Sequence, residues 1–343
     1  MIDIKKKRIA LIGGAGFIGH NLALELAERG AEVLVVDSLF VNNLMSFAPI
    51  KKQFEHQDLY YHIIHQRLKL LRNAHISVEP IDARKYHKLS HALDVFNPSI
   101  MVHLAAVAHA NLSNKDPHST FDHSFRTLEN SLDYSRGSRI EHFIFFSSSM
   151  IYGNFPSETV TEETPCEPIG IYGALKFGSE KMVIAYHNVF DLPYTIIRPS
   201  ALYGERCVSR RVGQIFIENA FEGKEISISG DGSNRLDFTY IEDLTRGIVN
   251  VIEHEGSKKQ IFNLTYGKSH SIAEMADIIK EHFPKAAIKY TPKDKLTPTR
   301  GTLSVDKARS MIGYDPQYPL RKGFVKYINW YKDLYAGFHA DKK

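Results

Sequence analysis

The sequence predicts a doubly wound α/β fold, in which a parallel sheet carries helices on both faces. Through the first 200 residues, short apolar runs alternate with segments whose apolar residues recur at helical spacing. The first apolar run, "RIALIGG", ends in a glycine-rich turn, and the second, "AEVLVVD", ends in an acidic residue, Asp37. We therefore expect consecutive strands to lie parallel and to be joined by helices.

The strands of this sheet are predicted from six apolar runs: "RIALIGG", "AEVLVVD", "SVEPIDA", "SIMVHLAAV", "HFIFFSS" and "YTIIRPS". Each run is too short for a typical helix, which favours a buried strand. Between the first two runs, "FIGHNLALELAERG" combines apolar residues at helical spacing with a terminal glycine. This pattern predicts a helix that ends in a glycine C-cap.

Two domains are predicted, over residues 1–200 and 201–343, the second being a smaller α/β domain partly interleaved with the first. Its sequence is less regular, with the glycine-rich "SGDGSNRLDF" followed by the helical patterns "EDLTRGIVNVIEH", "SIAEMADIIKEHF" and "FVKYINWYKDLY". Within the first domain, the segment 38–81 is long for a connection between strands, and "QDLYYHIIHQRLKLL" predicts an extra helix there. We interpret this helix as packed on the surface; a substrate lid or a dimer contact is the alternative.

The composition is that of a soluble globular protein, with 43% hydrophobic and 24% charged residues. The sequence contains no run of 18 or more apolar residues, so it predicts no membrane span. The net charge of +4 is spread over 43 basic and 39 acidic residues, which disfavours nucleic-acid binding. Two cysteines and 17 dispersed histidines provide no disulfide framework and no metal-ligand spacing. We therefore expect a cytoplasmic protein without a metal site.

The turn "LIGGAGFIGH" predicts a dinucleotide site. Gly13 and Gly16 allow a tight turn and close approach to a pyrophosphate, and Gly19 allows the helix to pack closely on the sheet. The helix that begins at Phe17 and Ile18 offers free N–H groups to the phosphates. Asp37, eighteen residues past Gly19, can accept hydrogen bonds from both ribose hydroxyls and would repel a 2′-phosphate. The sequence therefore predicts NAD rather than NADP.

Two further strand ends are predicted to contact this cofactor. "EPIDAR" places Asp82 and Ala83 at the end of the third strand, where an adenine would lie. "VHLAAVAHA" places Ala105 and Ala106 at the end of the fourth strand. Small side chains at this position leave room for a cofactor to cross the strand ends.

Ser148, Tyr172 and Lys176 are the predicted catalytic residues. Ser148 follows the fifth strand, at the sheet edge where α/β proteins bind ligands. Tyr172 and Lys176 are four residues apart and share a helix face, so the ammonium can lie near both the phenol and the cofactor ribose. Positive charge favours the phenolate, which makes Tyr172 a candidate general base.

With these motifs, the chain resembles the extended short-chain dehydrogenase/reductase family, in particular its nucleotide-sugar epimerases, of the UDP-glucose 4-epimerase type, and its dehydratases. The resemblance covers nearly the whole length and is carried by "GGAGFIG", "HLAA", "SSSMIYG", "EETPCEPIGIYGALK", "RPSALYGER" and "GDGSNRLDFTYIEDL". It implies a Rossmann-like NAD-binding domain followed by a substrate-binding domain.

The resemblance also implies the reaction. Tyr172 would deprotonate a sugar hydroxyl, usually at C4, while a hydride passes from the same carbon to NAD. The resulting keto sugar would turn over in the site and be reduced on its opposite face, so that a nucleotide-diphosphate sugar is epimerised. The family further implies a homodimer, formed through a four-helix bundle by the helix near residues 111–136 and the helix that begins at Tyr172. A role in polysaccharide precursor synthesis is implied by the family alone.

The residues after Ser148 distinguish between reactions within this family. Dehydratases carry Thr-Asp-Glu at the three positions that begin with Ser148. This chain has Ser149 in place of the Asp and Met150 in place of the Glu. Because Met150 cannot transfer a proton, a 4,6-dehydratase is disfavoured. A 4-dehydrogenase or reductase uses the same three catalytic residues, but reductases usually prefer NADPH, which Asp37 disfavours. A non-catalytic dinucleotide sensor would not need a positioned base.

Substrate contacts are predicted for Ser149, Arg235 and Arg300. Arg235, in "GDGSNRLDF", resembles the phosphate-binding arginine of the family, and Arg300, in "TPTRGT", is a second candidate. Guanidinium groups suit bidentate phosphate contacts. At two other places, Ser124 and Ala201 occupy positions where family epimerases often carry asparagine. These departures leave the identity of the sugar open.

Overall fold

The structure, a computed structural model, describes residues 1–48, 55–107, 110–292 and 298–340. In chain order the strands are β1 (Arg8–Ile12), β2 (Glu32–Val36), β3 (Ser77–Glu79), β4 (Ile100–His103), β5 (His142–Phe146), β6 (Thr159–Val160), β7 (Tyr194–Arg198), β8 (Leu202–Tyr203), β9 (Ile226–Ser229), β10 (Arg235–Leu236), β11 (Thr239–Tyr240), β12 (Gln260–Asn263), β13 (His270–Ser271), β14 (Ile288–Thr291) and β15 (Thr302–Leu303).

The helices surround these strands. They are α1 (Phe17–Glu28), α2 (Leu44–Phe47), α3 (Gln57–Asn73), α4 (Tyr86–Phe96), α5 (Ala110–Lys115), α6 (Pro117–Phe121), α7 (Thr127–Arg136), α8 (Ile171–Phe190), α9 (Val212–Phe221), α10 (Ile241–Glu253), α11 (Ile272–His282), α12 (Asp306–Ile312) and α13 (Leu320–Ala340). A π-helical turn spans Asp122–Arg126, and 3₁₀ turns span Ser149–Tyr152 and Glu255–Ser257. None of the described helices combines the length and the apolar composition that crossing a bilayer requires.

The central sheet has seven strands in the order β12-β7-β5-β4-β1-β2-β3, and every neighbouring pair is parallel. The strand order reverses between β1 and β4, which is the point where doubly wound sheets bind ligands. Ile12 pairs with Val36 on one side and with His103 on the other. The chain therefore leaves β1, β2 and β4 at one edge of the sheet. The predicted fold class is confirmed.

Both faces of the sheet are buried, as a doubly wound fold requires. Ile9 and Leu11 of β1 pack in one hydrophobic cluster, while Ala10 and Ile12 pack in another. All four side chains are fully buried. Because successive strand residues point to opposite faces, an apolar run without alternation is what the sequence of such a strand must show.

The six predicted strands are β1 to β5 and β7, but the seventh strand of the sheet, β12, was not predicted. It lies beyond residue 200 and pairs with β7 from Gln260↔Thr195 to Asn263↔Arg198. Helix α10 also returns to pack against α1. The second half of the chain therefore contributes to the main sheet, and the division at residue 200 remains a prediction.

The helix predicted within the segment 38–81 is α3. Its residues Ile63, Ile64 and Leu71 are fully buried in the same cluster as Leu11 of β1. Helix α3 also packs against α1. It is therefore a packed part of the sheet domain, as the surface-helix interpretation expects.

Candidate active site

The glycine-rich turn between β1 and α1 is held in a conformation that needs glycine. Gly13 has φ +81°, and a Cβ atom there would lie 2.6 Å from the backbone nitrogen of Ala105. The Gly13 N–H donates to the carbonyl of Val36 at 2.7 Å. At Gly19, a Cβ atom would lie 2.5 Å from the Cα of Gly14. These close approaches leave no room for a side chain at Gly13 or Gly19, and they fix the turn at the start of α1, where N–H groups and the helix dipole attract phosphate.

Asp37 lies directly after β2, beside this turn. Its Oδ2 accepts the N–H of Ala15 at 3.0 Å, and its Oδ1 accepts the N–H of Leu39 at 2.8 Å. Burial raises the pKa of Asp37, and the two backbone donors oppose this shift. Each oxygen keeps a further lone pair for a ribose hydroxyl. The carboxylate is therefore fixed where a ribose would reach it.

One cleft at this edge of the sheet brings together all of the predicted cofactor-binding residues except Tyr172 and Lys176, which line the adjoining cavity. The cleft is lined by Gly13, Gly16, Phe17, Ile18, Gly19, Asp37, Asp82, Ala83, Ala105 and Ala106. The Asp82 side chain forms an ion pair with Arg84 at 2.6 Å. Burial raises the pKa of Asp82, but hydrogen bonds from Arg84 outweigh this effect and lower it. Sequence reasoning missed other residues of this cleft, among them Asn42, Arg67, His123 and Thr127.

A second, larger cavity of about 710 Å³ adjoins the cofactor cleft. Five residues line both spaces: Ile18, Leu104, Ala106, Leu202 and Arg211. The larger cavity is also lined by Ser148, Ser149, Tyr172 and Lys176. Its volume is that of a pocket for a small organic ligand. The predicted catalytic residues therefore lie in a space next to the predicted dinucleotide site.

Lys176 is anchored on the inner face of α8. Its ammonium donates to the carbonyl of Phe146 at 2.5 Å and lies 4.9 Å from the ring centroid of Phe145. The side chain is 6% exposed. Burial lowers the pKa of Lys176 to about 8, against an opposing effect of Glu180. The end of β5 thus holds a buried cation in a fixed place.

Tyr172 lies one turn before Lys176 and beside Ser148. Burial raises the pKa of the Tyr172 phenol, whereas the charge of Arg211 and a hydrogen bond with Ser148 lower it. The Ser148 hydroxyl also accepts the N–H of Met150 at 3.2 Å, which fixes its position at the start of the 3₁₀ turn. Serine, tyrosine and lysine therefore surround one region of the cavity wall.

Comparison with known proteins identifies the family. The sequence profile of the NAD dependent epimerase/dehydratase family matches residues 9–265. This chain belongs to that family. The predicted family, fold and NAD cofactor are confirmed, and the protein is an enzyme of the NAD-dependent epimerase type.

Relatives within the epimerase/dehydratase family match along nearly the whole chain. A putative UDP-glucose 4-epimerase of Methanocaldococcus jannaschii is 29% identical over 95% of this chain and 98% of its own length. A UDP-glucuronate 4-epimerase of Thermodesulfobacterium geofontis is 27% identical over 94% of this chain and 95% of its own. Among solved structures, UDP-glucuronic acid 4-epimerase of Bacillus cereus, in complex with UDP-glucuronic acid and NAD, has a TM-score of 0.85 at 24% identity, covering 95% of this chain and 99% of that one.

The two arginines predicted to bind the substrate differ in their position relative to the larger cavity. Arg300 lines the larger cavity, and its Nε is buried without a hydrogen-bond partner. Burial and the nearby charge of Arg211 lower the pKa of Arg300 to about 10. Arg235 does not line the cavity; its Nε donates to the hydroxyl of Ser269 at 3.1 Å and its Nη2 to the Ser269 carbonyl.

The reason is the alternation of side chains along β10. Neighbouring strand residues point to opposite faces, and Leu236, the residue after Arg235, is the one that lines the cavity. Two arginines that the sequence analysis did not select, Arg210 and Arg211, line it instead. They precede α9 in the stretch "CVSRRVG", which has no motif of its own.

The family positions that depart from the usual residues are also resolved. Met150 lines the larger cavity, so a side chain without a titratable group occupies this part of the wall. Ser124 lies in the π-helical turn and is 7% exposed, and its hydroxyl accepts the N–H of Val107 at 3.3 Å. Ser149 lines the cavity and donates to the hydroxyl of Ser200 at 3.2 Å. The π-helical turn that carries Ser124 is a kind of turn that occurs frequently at functional sites.

Proposed function

We propose that this protein inverts C4 of a nucleoside-diphosphate sugar, using NAD that it retains through the reaction. The observation that carries the proposal is the position of Tyr172, Ser148 and Lys176 in a cavity that shares walls with the cofactor cleft. The relatives and structural neighbours named as 4-epimerases agree with this reaction.

The residues around the cofactor cleft suit NAD. Gly13 holds the turn before α1 in a conformation that a side chain would exclude, and Asp37 presents a fixed carboxylate for ribose hydroxyls. When bound there, NAD accepts a hydride from the sugar carbon and later returns it.

Tyr172 takes the proton of the C4 hydroxyl during oxidation and gives it back during reduction. Ser148 supports this transfer because its hydroxyl lies beside the phenol and can bond the same sugar oxygen. Lys176 contributes a buried positive charge to the same cavity, and the charge of Arg211 lowers the pKa of the Tyr172 phenol. The cavity of about 710 Å³ leaves room for the sugar to present either face.

The diphosphate of the substrate is held by the arginines of the larger cavity. Arg210, Arg211 and Arg300 line it, and no aspartate or glutamate is among its described lining residues. Arg300 is suited to this role because its buried Nε has no hydrogen-bond partner among the described residues. The start of α9, at Val212 and Gly213, also lines the cavity. The buried Nε of Arg300 gains a hydrogen-bond acceptor when a diphosphate enters.

The same site argues against the two other reactions considered. A 4,6-dehydratase would need proton-transferring groups after Ser148, where Met150 lines the cavity. A 4-dehydrogenase or reductase would release its product after half the cycle and exchange its cofactor. Retention of NAD through turnover separates epimerisation from that alternative.

Proton NMR of the purified protein with UDP-, dTDP-, GDP-, CDP- and ADP-sugars tests the proposal, without added cofactor. We expect one of these sugars to yield a new anomeric signal at unchanged mass. Tyr172→Phe should retain NAD but lose this activity, since the phenol is the base. Net formation of NADH would contradict epimerisation and support the 4-dehydrogenase. A product that has lost water would contradict it and support the 4,6-dehydratase.

Homodimerisation is part of the proposal. Helix α8 and the helical segment 111–136 carry apolar side chains at the surface, of which Phe121 is 47% and Val189 69% exposed. A bundle of these helices with their copies would bury such side chains. Light scattering should give about twice the chain mass of 39.0 kDa. A monomeric mass would contradict the dimer and leave the proposed reaction untouched.

A cytoplasmic location and a role in making polysaccharide precursors complete the proposal. Both described cysteines, Cys166 and Cys207, are free thiols, as a reducing compartment favours. The pathway role rests on the reaction class alone.

A further inference from the structure

Arg67 is a buried cation that the proposed reaction does not use. It lies on α3, in the segment 38–81, and is 1% exposed. Its Nε donates to the carbonyl of Arg206 at 2.9 Å, and its Nη2 donates to the same oxygen. Two of its nitrogens are thus fixed by one backbone carbonyl, which orients the whole planar guanidinium.

The guanidinium of Arg67 has no ion-pair partner among the described residues. Its third nitrogen, Nη1, is buried without a hydrogen-bond partner. Arg67 forms no ion pair with a described carboxylate, although Asp37 is near enough to influence it electrostatically. Burial lowers the pKa of Arg67 to about 10, and the neighbouring charge of Arg206 acts in the same direction. A buried charge without a partner is costly, so an anionic ligand at this place would stabilise the protein.

The position of Arg67 indicates which anion this is. Arg67 lines the cofactor cleft together with Gly13 and Gly16, the turn that leaves space for a pyrophosphate. The 2′-phosphate of NADP is a poorer match, because the Asp37 carboxylate, fixed by Ala15 and Leu39, occupies the ribose position. A pyrophosphate carries the negative charge that would pair with the Arg67 guanidinium.

We infer that Arg67 binds the pyrophosphate of the dinucleotide, so that the segment 38–81 supplies part of the cofactor site. Helix α3 is then more than a packed surface element. It brings one cation into a cleft that is otherwise built by the strand ends of the sheet and the first turn of α1.

Binding measurements with ADP-ribose and adenosine test this inference. ADP-ribose contains the pyrophosphate, whereas adenosine contains neither phosphate nor charge. Arg67→Gln removes the charge but keeps a donor for the Arg206 carbonyl, and Arg67→Lys keeps the charge. The matched control is Arg72→Met, on the exposed side of the same helix. Calorimetry on cofactor-depleted protein gives both dissociation constants, and circular dichroism monitors folding.

We expect Arg67→Gln to weaken ADP-ribose binding on the order of 10- to 100-fold, the usual effect of losing a charged hydrogen bond. Adenosine binding should be unchanged. Arg67→Lys should recover most of the ADP-ribose affinity, and Arg72→Met should bind both ligands as the wild type does. The same calorimetry with NAD and with NADP should show that Arg67→Gln weakens the binding of both dinucleotides by the same factor.

Three results would overturn the inference. Unchanged ADP-ribose binding in Arg67→Gln would show that the guanidinium does not contact phosphate. An equal loss for ADP-ribose and adenosine would show a structural role only. A loss confined to NADP would place Arg67 at the ribose 2′-phosphate. None of these measurements needs a sugar substrate, so they are independent of the proposed epimerisation.

Discussion

The predicted catalytic residues have signals that are local in the sequence. Tyr172 and Lys176 need only the i, i+4 geometry of one helix, and Ser148 needs only the end of one strand. Arg235 shows the limit of this approach, since a shift of one residue along β10 decides which side chain faces the cavity. Arg67 carried no signal, because its place in the cofactor cleft depends on the packing of α3 and not on a motif.

Substrate binding should distinguish the two predicted arginines. Arg300→Met should raise the KM for the nucleotide sugar by about 10- to 100-fold, as expected for losing a charged hydrogen bond to phosphate. Arg235→Met is the matched control and should change KM by less than about two-fold, because Arg235 bonds to Ser269 outside the cavity. Steady-state kinetics of both variants give the answer. Equal effects would mean that Arg235 reaches the substrate after all.

Lys176 should make stability depend on pH in the alkaline range. Its folded-state pKa is lowered from 10.5 to about 8, so between these values the unfolded chain binds more protons. The contribution of Lys176 to the free energy of unfolding therefore rises as pH increases from 8 to 10.5 and is lowest below pH 8. Lys176→Met should be more stable than the wild type at pH 7, and this advantage should disappear near pH 10.

Urea unfolding across this pH range measures the effect. The advantage of Lys176→Met should shrink by about 1.4 kcal/mol per pH unit inside the window. Lys181→Met, on the exposed side of α8, is the control and should follow the wild type at every pH. A constant difference between Lys176→Met and the wild type would show that Lys176 keeps its proton throughout.

At the scale of elements, one buried ion pair fastens the helix that carries Tyr172 and Lys176. Arg198 of β7 donates to both oxygens of Glu180 on α8, at 3.0 and 2.8 Å. Arg198 also donates to the hydroxyl of Tyr152 and to the carbonyl of Glu162, each at 2.9 Å. Helix α8 is thus tied to the sheet one turn after Lys176.

Breaking this pair from one side should be costly. Glu180→Gln leaves Arg198 buried without its counter-charge, and we expect a loss of about 3–5 kcal/mol in the free energy of unfolding. Glu281→Gln removes one partner of the exposed pair with Arg321 and should cost far less, because solvent screens that pair. Urea denaturation compares the two. A similar, small loss for both variants would show that the buried pair does not hold α8.

The elements themselves were predictable where the apolar runs are long enough. Strands β1 to β5 and β7 follow from their sequences, and so does α3. The strand β12 did not, because "QIFN" lies in a region without a regular strand–helix alternation. Its membership of the sheet is decided by pairing with β7, which is a long-range contact that no local pattern shows.

For the whole molecule, the return of β12 and α10 means that the sheet domain is not continuous in the chain. A fragment of residues 1–200 should therefore fail to fold cooperatively, since β7 loses its outer partner and α1 loses the cover of α10. Near-UV circular dichroism of this fragment should show no fixed tertiary structure. Co-expression with residues 201–343 should restore it. A fragment that folds alone and binds ADP-ribose would support an independent domain ending at residue 200.

The pairing of β7 with β12 also has a consequence during synthesis. Strand β7 is complete at Arg198, but its outer partner begins only at Gln260. At ribosomal speeds of about 5–20 residues per second, the edge of β7 stays open for roughly 3 to 12 seconds. During that time the nascent chain presents unpaired N–H and C=O groups on an apolar strand, which is the kind of surface that aggregates. A chaperone that shields this edge during synthesis should therefore raise the soluble yield.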